Sequence, residues 1–141
     1  MTRHILLLFL DDHLITRGDR RRNRLRRRSP RVYAADAAKR GFYRAANSIF
    51  GKIGRVASEE VVLKLIKNKC VPVLLYGLEA CALNKSQMVS LDFVVNRFFM
   101  KLFNTNNIDT VKACQEFFSF ELPSVQLAKR VVKFESKVNT V

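Results

Sequence analysis

The sequence predicts an all-α protein, a small bundle of about five helices behind a basic N-terminal tail. Three observations point there. From Tyr33 onward, apolar residues recur at steps of three and four, the period of a helix face. Only five Gly and three Pro occur in 141 residues, too few for a hairpin-rich sheet. Hydrophobic residues make up 48%, too many for a wholly disordered polybasic chain. The length suits one folded domain. With 26 Lys+Arg against 12 Asp+Glu, the net charge of +14 makes polyanions the expected partners.

Residues 1–31 read as a disordered basic tail and 32–141 as the helical domain. The window Arg17–Arg31 holds nine Arg in fifteen residues, and such like charges repel. Ser29-Pro30 is expected to break any helix. The first helix follows Tyr33, with Phe42, Ala46, Ile49, Ile53 and Val56 in a sector of about 80°. Gly41, Gly51 and Gly54 each weaken it by about 1 kcal/mol relative to Ala. Gly51 and Gly54 share a side, which suggests close approach of another helix there.

Ser58 followed by Glu59 and Glu60 marks the second start, a hydroxyl cap with acids at the positive end of the helix dipole. Pro72 ends or kinks that helix near Cys70. The stretch from Val71 suits a strand in part. Leu78, Glu79, Ala80, Ala82 and Leu83 favour a Pro-started helix instead. Asn84 or Ser86 opens the next helix, where Met88, Leu91, Val95, Phe98 and Leu102 form the clearest periodic run. The NTNN string at 104–107 is a loop, and a short helix covers about Asp109–Phe118. Pro123 starts the last helix, whose apolar positions are Leu127, Val131, Phe134 and Val138.

Several chemistries are excluded by what these residues lack. No Ser or Cys lies in a nucleophile-elbow string, and both His, His4 and His13, precede the helical part. GKIGR lacks the spacing of a phosphate-binding Gly loop. Cys70, Cys81 and Cys114 are odd in number and have no metal-ligand spacing, so they read as reduced, mostly buried thiols of an intracellular protein. No catalytic residue, metal site or cofactor is expected. The apolar run Ile5–Leu10 is shorter than a signal-peptide core, and no segment is long enough for a membrane span. Phe9-Leu10-Asp11-Asp12 matches the aromatic-x-Asp-Asp turn with which some polymerases hold Mg²⁺. That turn needs a further carboxylate from an earlier strand, and only eight residues precede Phe9. The pair reads as two acids in the tail.

The residues that could contact nucleic acid are basic. Arg40, Arg44, Lys52 and Arg55 cluster opposite the apolar face of the first helix, and Lys129, Arg130, Lys133 and Lys137 form a stripe on the last. Two such stripes suggest a groove that tracks phosphates. In the tail, Arg20, Arg21, Arg22, Arg24, Arg26, Arg27 and Arg28 add sequence-independent attraction and a nuclear-import-like patch, which places the protein in the nucleus rather than the cytoplasm. Phe98, Phe99, Phe103, Phe117, Phe118 and Phe120 are read as core rather than as base-stacking platforms.

The strings AKRGFYRAANSIFGKIGRVASEEVVLKLIKNKCVPVLLYGLEAC and SLDFVVNRFFMKLF resemble the region that follows the palm in non-LTR (LINE-type) retrotransposon reverse transcriptases. The Pro72…Leu75-Tyr76-Gly77-x-Glu79 string is the most specific element, and the resemblance spans residues 38–135. It implies a helical thumb that grips a template–primer duplex by its backbone. The palm and fingers of that family have no counterpart here, and residues 1–31 do not resemble it. The resemblance therefore implies a fragment without polymerase activity. Two other readings follow from the residues: an independent helical nucleic-acid-binding protein, or a relic that self-associates through apolar faces left exposed.

Overall fold

The computed structural model describes residues 29–54 and 56–140. Helix α1 (Pro30–Ile53) leads into α2 (Glu59–Leu65), which continues through a π-helical turn (Ile66–Cys70) into α3 (Val71–Leu75). A 3₁₀ turn (Leu78–Ala80) then precedes α4 (Lys85–Leu102), α5 (Ile108–Phe117) and α6 (Pro123–Asn139). With α2, the π turn and α3 forming one helical path, the described residues make a five-helix, all-α bundle. No strand occurs among the described residues. The expectation of a tail over residues 1–28 lies outside them.

Ser29-Pro30 opens a helix instead of breaking one. Ser29 takes the extended backbone that a residue before proline prefers, with ψ 150°, and Pro30 occupies the first turn, where no N–H is needed. The helix thus begins before residue 32. Along α1 the buried positions are Ala35, Phe42, Ala46 and Phe50. Ile49 and Ile53 pack against the core from its edge. Val56, expected inside, is 90% exposed, because α1 ends at Ile53 and the chain turns away.

The Ser58 cap forms as expected, its hydroxyl accepting from the Val61 N–H, with Glu59 and Glu60 in the first turn. Pro72 neither ends the helix nor starts a long one. Proline has no N–H for the carbonyl four residues back. The turn before it widens, and the Val71 N–H donates to the Ile66 carbonyl five residues back. This brings Ile66, Cys70, Val71, Leu74 and Leu75 into the core together. The helix expected through Leu83 stops at Leu75. Tyr76 leaves helical geometry at ψ 121°, and Gly77 turns the chain at φ 74°, which a side chain would resist.

Helix α4 is the centre of the bundle. Asn84 is its cap, with the Gln87 N–H donating to Asn84 Oδ1 and the Asn84 N–H to Gln87 Oε1, both at 2.9 Å. Leu91, Val94, Val95, Phe98, Phe99 and Leu102 are buried along it. Helices α1, α5 and α6 all pack on α4. Rings link the layers: Phe98 meets Phe42, Phe50 and Phe99 at centroid separations of 6.4, 5.5 and 6.1 Å. Most of the expected aromatic core is inside, but Phe117 is 82% exposed and only flanks Phe118.

Close helix approach occurs at Gly41, not at Gly51. A Cβ on Gly41 would sit 3.0 Å from Val73 Cγ1 of α3, whereas one on Gly51 would meet nothing within 4 Å. One on Gly54 would strike only the preceding turn at Phe50. Polar contacts with α4 help hold the C-terminal helices. Gln115 Nε2 of α5 donates to Asn96 Oδ1 of α4 at 2.7 Å. Asp92 of α4 receives the Ser124 N–H at 2.8 Å and the Ser124 hydroxyl at 2.6 Å. Leu122, the residue before α6, has no side-chain acceptor, so Asp92 supplies the cap from another helix.

Candidate nucleic-acid interface

The first basic face runs along α1. Arg44 and Lys52 are exposed, and neither has an ion-pair partner among the described residues. Arg40 is half-buried, its guanidinium 5.9 Å from the centre of the Tyr33 ring, where the ring face attracts it. Arg55 and the tail residues Arg20, Arg21, Arg22, Arg24, Arg26, Arg27 and Arg28 lie outside the described residues.

The second face runs along α6. Lys133 and Lys137 are exposed with no ion pair among the described residues. Lys129 is paired with Glu121, in the segment leading into α6, so part of its charge is already answered. Arg130 is half-buried midway along the helix. Of the eight cations read from the two helices, four are therefore exposed with no ion pair among the described residues: Arg44, Lys52, Lys133 and Lys137.

Shared packing ties the two faces together. Helix α1 packs on α2, the π turn, α3 and α4, while α6 packs on α3, α4 and the 3₁₀ turn. Both stripes are thus anchored to the α3–α4 core. An apolar groove of about 370 Å³ lies between α1 and α3 and is lined by Ala34, Ala37, Ala38, Gly41, Val73, Tyr76, Gly77, Leu78 and Cys81. It carries no Lys or Arg, so it cannot neutralise a phosphate chain.

The structure adds a cation that the pattern reading missed. Arg97, exposed on α4, acts electrostatically on Tyr43 of α1, the neighbour of Arg44. Burial pushes the Tyr43 hydroxyl up, and the Arg97 charge partly opposes that. Arg97 sits between apolar positions of α4 and belongs to no stripe within its own helix, so only the packing of α4 on α1 reveals it. Lys67 is a structural cation, donating to the Ser119 carbonyl at 3.2 Å.

The Cys70 thiol is not placed to react. Cys70 is fully buried, and burial pushes its thiol up to about 11. Cys81 and Cys114 are half-buried, less enclosed than expected, and all three are free. No group of three His, Cys, Asp or Glu residues placed to hold a metal occurs among the described residues. None of the described helices is long and apolar enough to cross a membrane. Asp11 and Asp12 lie outside the described residues. Comparison with protein families, with curated proteins and with solved structures finds no match for this chain.

Proposed function

We propose that the helical unit binds the backbone of a nucleic-acid duplex without sequence preference, as a thumb-like piece of a non-LTR retrotransposon reverse transcriptase. The observation that carries this reading is the pair of exposed basic stripes, Arg44 and Lys52 on α1 and Lys133 and Lys137 on α6, fastened to one core. Phosphate contacts by Lys and Arg position a protein on a duplex without reading its bases. The resemblance supports the thumb assignment through the Pro72–Glu79 string, which ends a helix with a left-handed Gly77 and buries Leu74, Leu75 and Leu78. Catalysis is no part of the proposal. The chain contributes grip, not chemistry.

The test is binding to an RNA–DNA hybrid across a salt series, with the full chain and with the double variant Arg44→Glu/Lys133→Glu. Each lost phosphate contact should flatten the slope of log K against log salt by about 0.9 on a B-form duplex, so the pair should flatten it by roughly two units. An unchanged slope and affinity in the double variant would remove the helical faces from the interface. Equal affinity for hybrid and single strands would remove the thumb assignment and leave charge alone.

A further inference from the structure

The last helix presents apolar surface that its own bundle does not cover. Leu127 is buried and Val131 half-buried, but every residue of α6 from 132 to 139 is exposed. Phe134 and Val138 are 40% and 55% exposed. Leu127, Val131, Phe134 and Val138 step by 4, 3 and 4, which is the spacing of a heptad seam with Leu127 and Phe134 at d and Val131 and Val138 at a. Leu127 fastens the helix to the bundle. Beyond Val131 the seam continues into solvent.

The charges flanking that seam select its occupant. In the same frame Arg130 and Lys137 fall at g and Glu135 at e. When two such helices lie parallel and in register, a g residue faces the e residue five positions further along the other helix. Residues 130 and 135 are five apart. A two-fold pair therefore sets Arg130 against Glu135 of the partner subunit, and does so twice. An antiparallel pair would instead face g positions with each other and bring Arg130 and Lys137 together as like charges. Glu135 has no ion pair among the described residues, so it is available for this contact.

We propose that the C-terminal half of α6 is a homodimer seam, occupied by the same helix of a second copy, parallel and in register, with Arg130 paired to Glu135 of the partner subunit. The apolar part is short, so the dimer is weak and concentration-dependent. The proposal is independent of nucleic-acid binding, because its test contains no nucleic acid.

The test is sedimentation of the full chain, nuclease-treated and at moderate salt, over a concentration series. The wild type should shift from monomer to dimer, and Phe134→Asp should remain monomeric with an unchanged helical melt. Arg130→Glu and Glu135→Arg should each weaken dimerisation about tenfold, because two attractive contacts become repulsive. The double variant Arg130→Glu/Glu135→Arg should restore it. Should Phe134→Asp unfold, the reversal at exposed Glu135 and its rescue carry the decision. A wild type that stays monomeric throughout, or a dimer that survives Phe134→Asp, overturns the proposal. Reversals without effect, or a double variant no better than the singles, overturn the parallel register.

Discussion

Truncating Phe98 to Ala tests the architecture most directly. The ring is fully buried on α4 and touches rings from two helices: Phe42 at 6.4 Å and Phe50 at 5.5 Å on α1, and Phe99 at 6.1 Å on α4 itself. Its loss removes the transfer free energy of the side chain and leaves a cavity that α1 and α4, both long and held elsewhere, fill only partly. Phe→Ala in a core costs about 3–5 kcal/mol, and three ring partners put this site in the upper part of that range. Total stability for a domain of this size is about 5–15 kcal/mol, so the variant stays folded only with a small margin. The melting temperature should fall by on the order of 20 °C. The assay is urea unfolding followed by helical circular dichroism. Phe117→Ala is the control: at 82% exposure it should change stability by less than about 0.5 kcal/mol. A Phe98→Ala curve that overlays that of Phe117→Ala would refute the placement of α4 at the centre.

Asp92→Ala should cost about 1–2 kcal/mol and speed amide exchange at Ser124, since it strips the cap that α4 lends to α6; Asp92→Asn, which keeps one acceptor oxygen, should cost less. Gly51→Ala should stabilise by up to about 1 kcal/mol, having open space around it, whereas Gly41→Leu should destabilise by driving α1 off Val73; paired thermal melts check both. The Cys70 thiol holds its proton more tightly folded than unfolded, so its contribution to stability is complete below its ordinary value of 9.0 and is lost as pH rises towards about 11. Melts from pH 8 upward should show that decline, and Cys70→Ala should show a smaller one, the remainder being that of Tyr43, whose hydroxyl burial also pushes up. Primer extension with Mg²⁺ on a homopolymer template should give background; extension that Asp11→Ala/Asp12→Ala abolishes would make the FLDD string catalytic.

What the chain determines locally was legible in its residues. The Ser58 cap, the loop at 104–107 and the three-four stepping of α4 depend on neighbours within one or two turns, and all appear where the pattern puts them; of the two openings it offered for α4, Asn84 and Ser86, Asn84 is the cap. So did the choice of helix over strand at Val71–Leu75. The candidate interface was legible only as a set of cations. The folded chain decided which of them stand free: Arg40 lies near Tyr33 two turns back on the same helix, Lys129 pairs with Glu121 ahead of α6, and Arg97 of α4 acts on Tyr43 of α1 across the packing of two helices. It also decided which part of each apolar stripe is covered. Phe50 is inside and Val56 outside because α1 ends between them, and the α6 stripe is covered at Leu127 but not at Val138. Periodicity states that a helix has an apolar face, because that follows from the 3.6-residue turn and the side chains alone. How far along the helix that face is buried depends on where distant elements end, and the cap from Asp92 to Ser124, 32 residues away, exists only once α4 and α6 have packed.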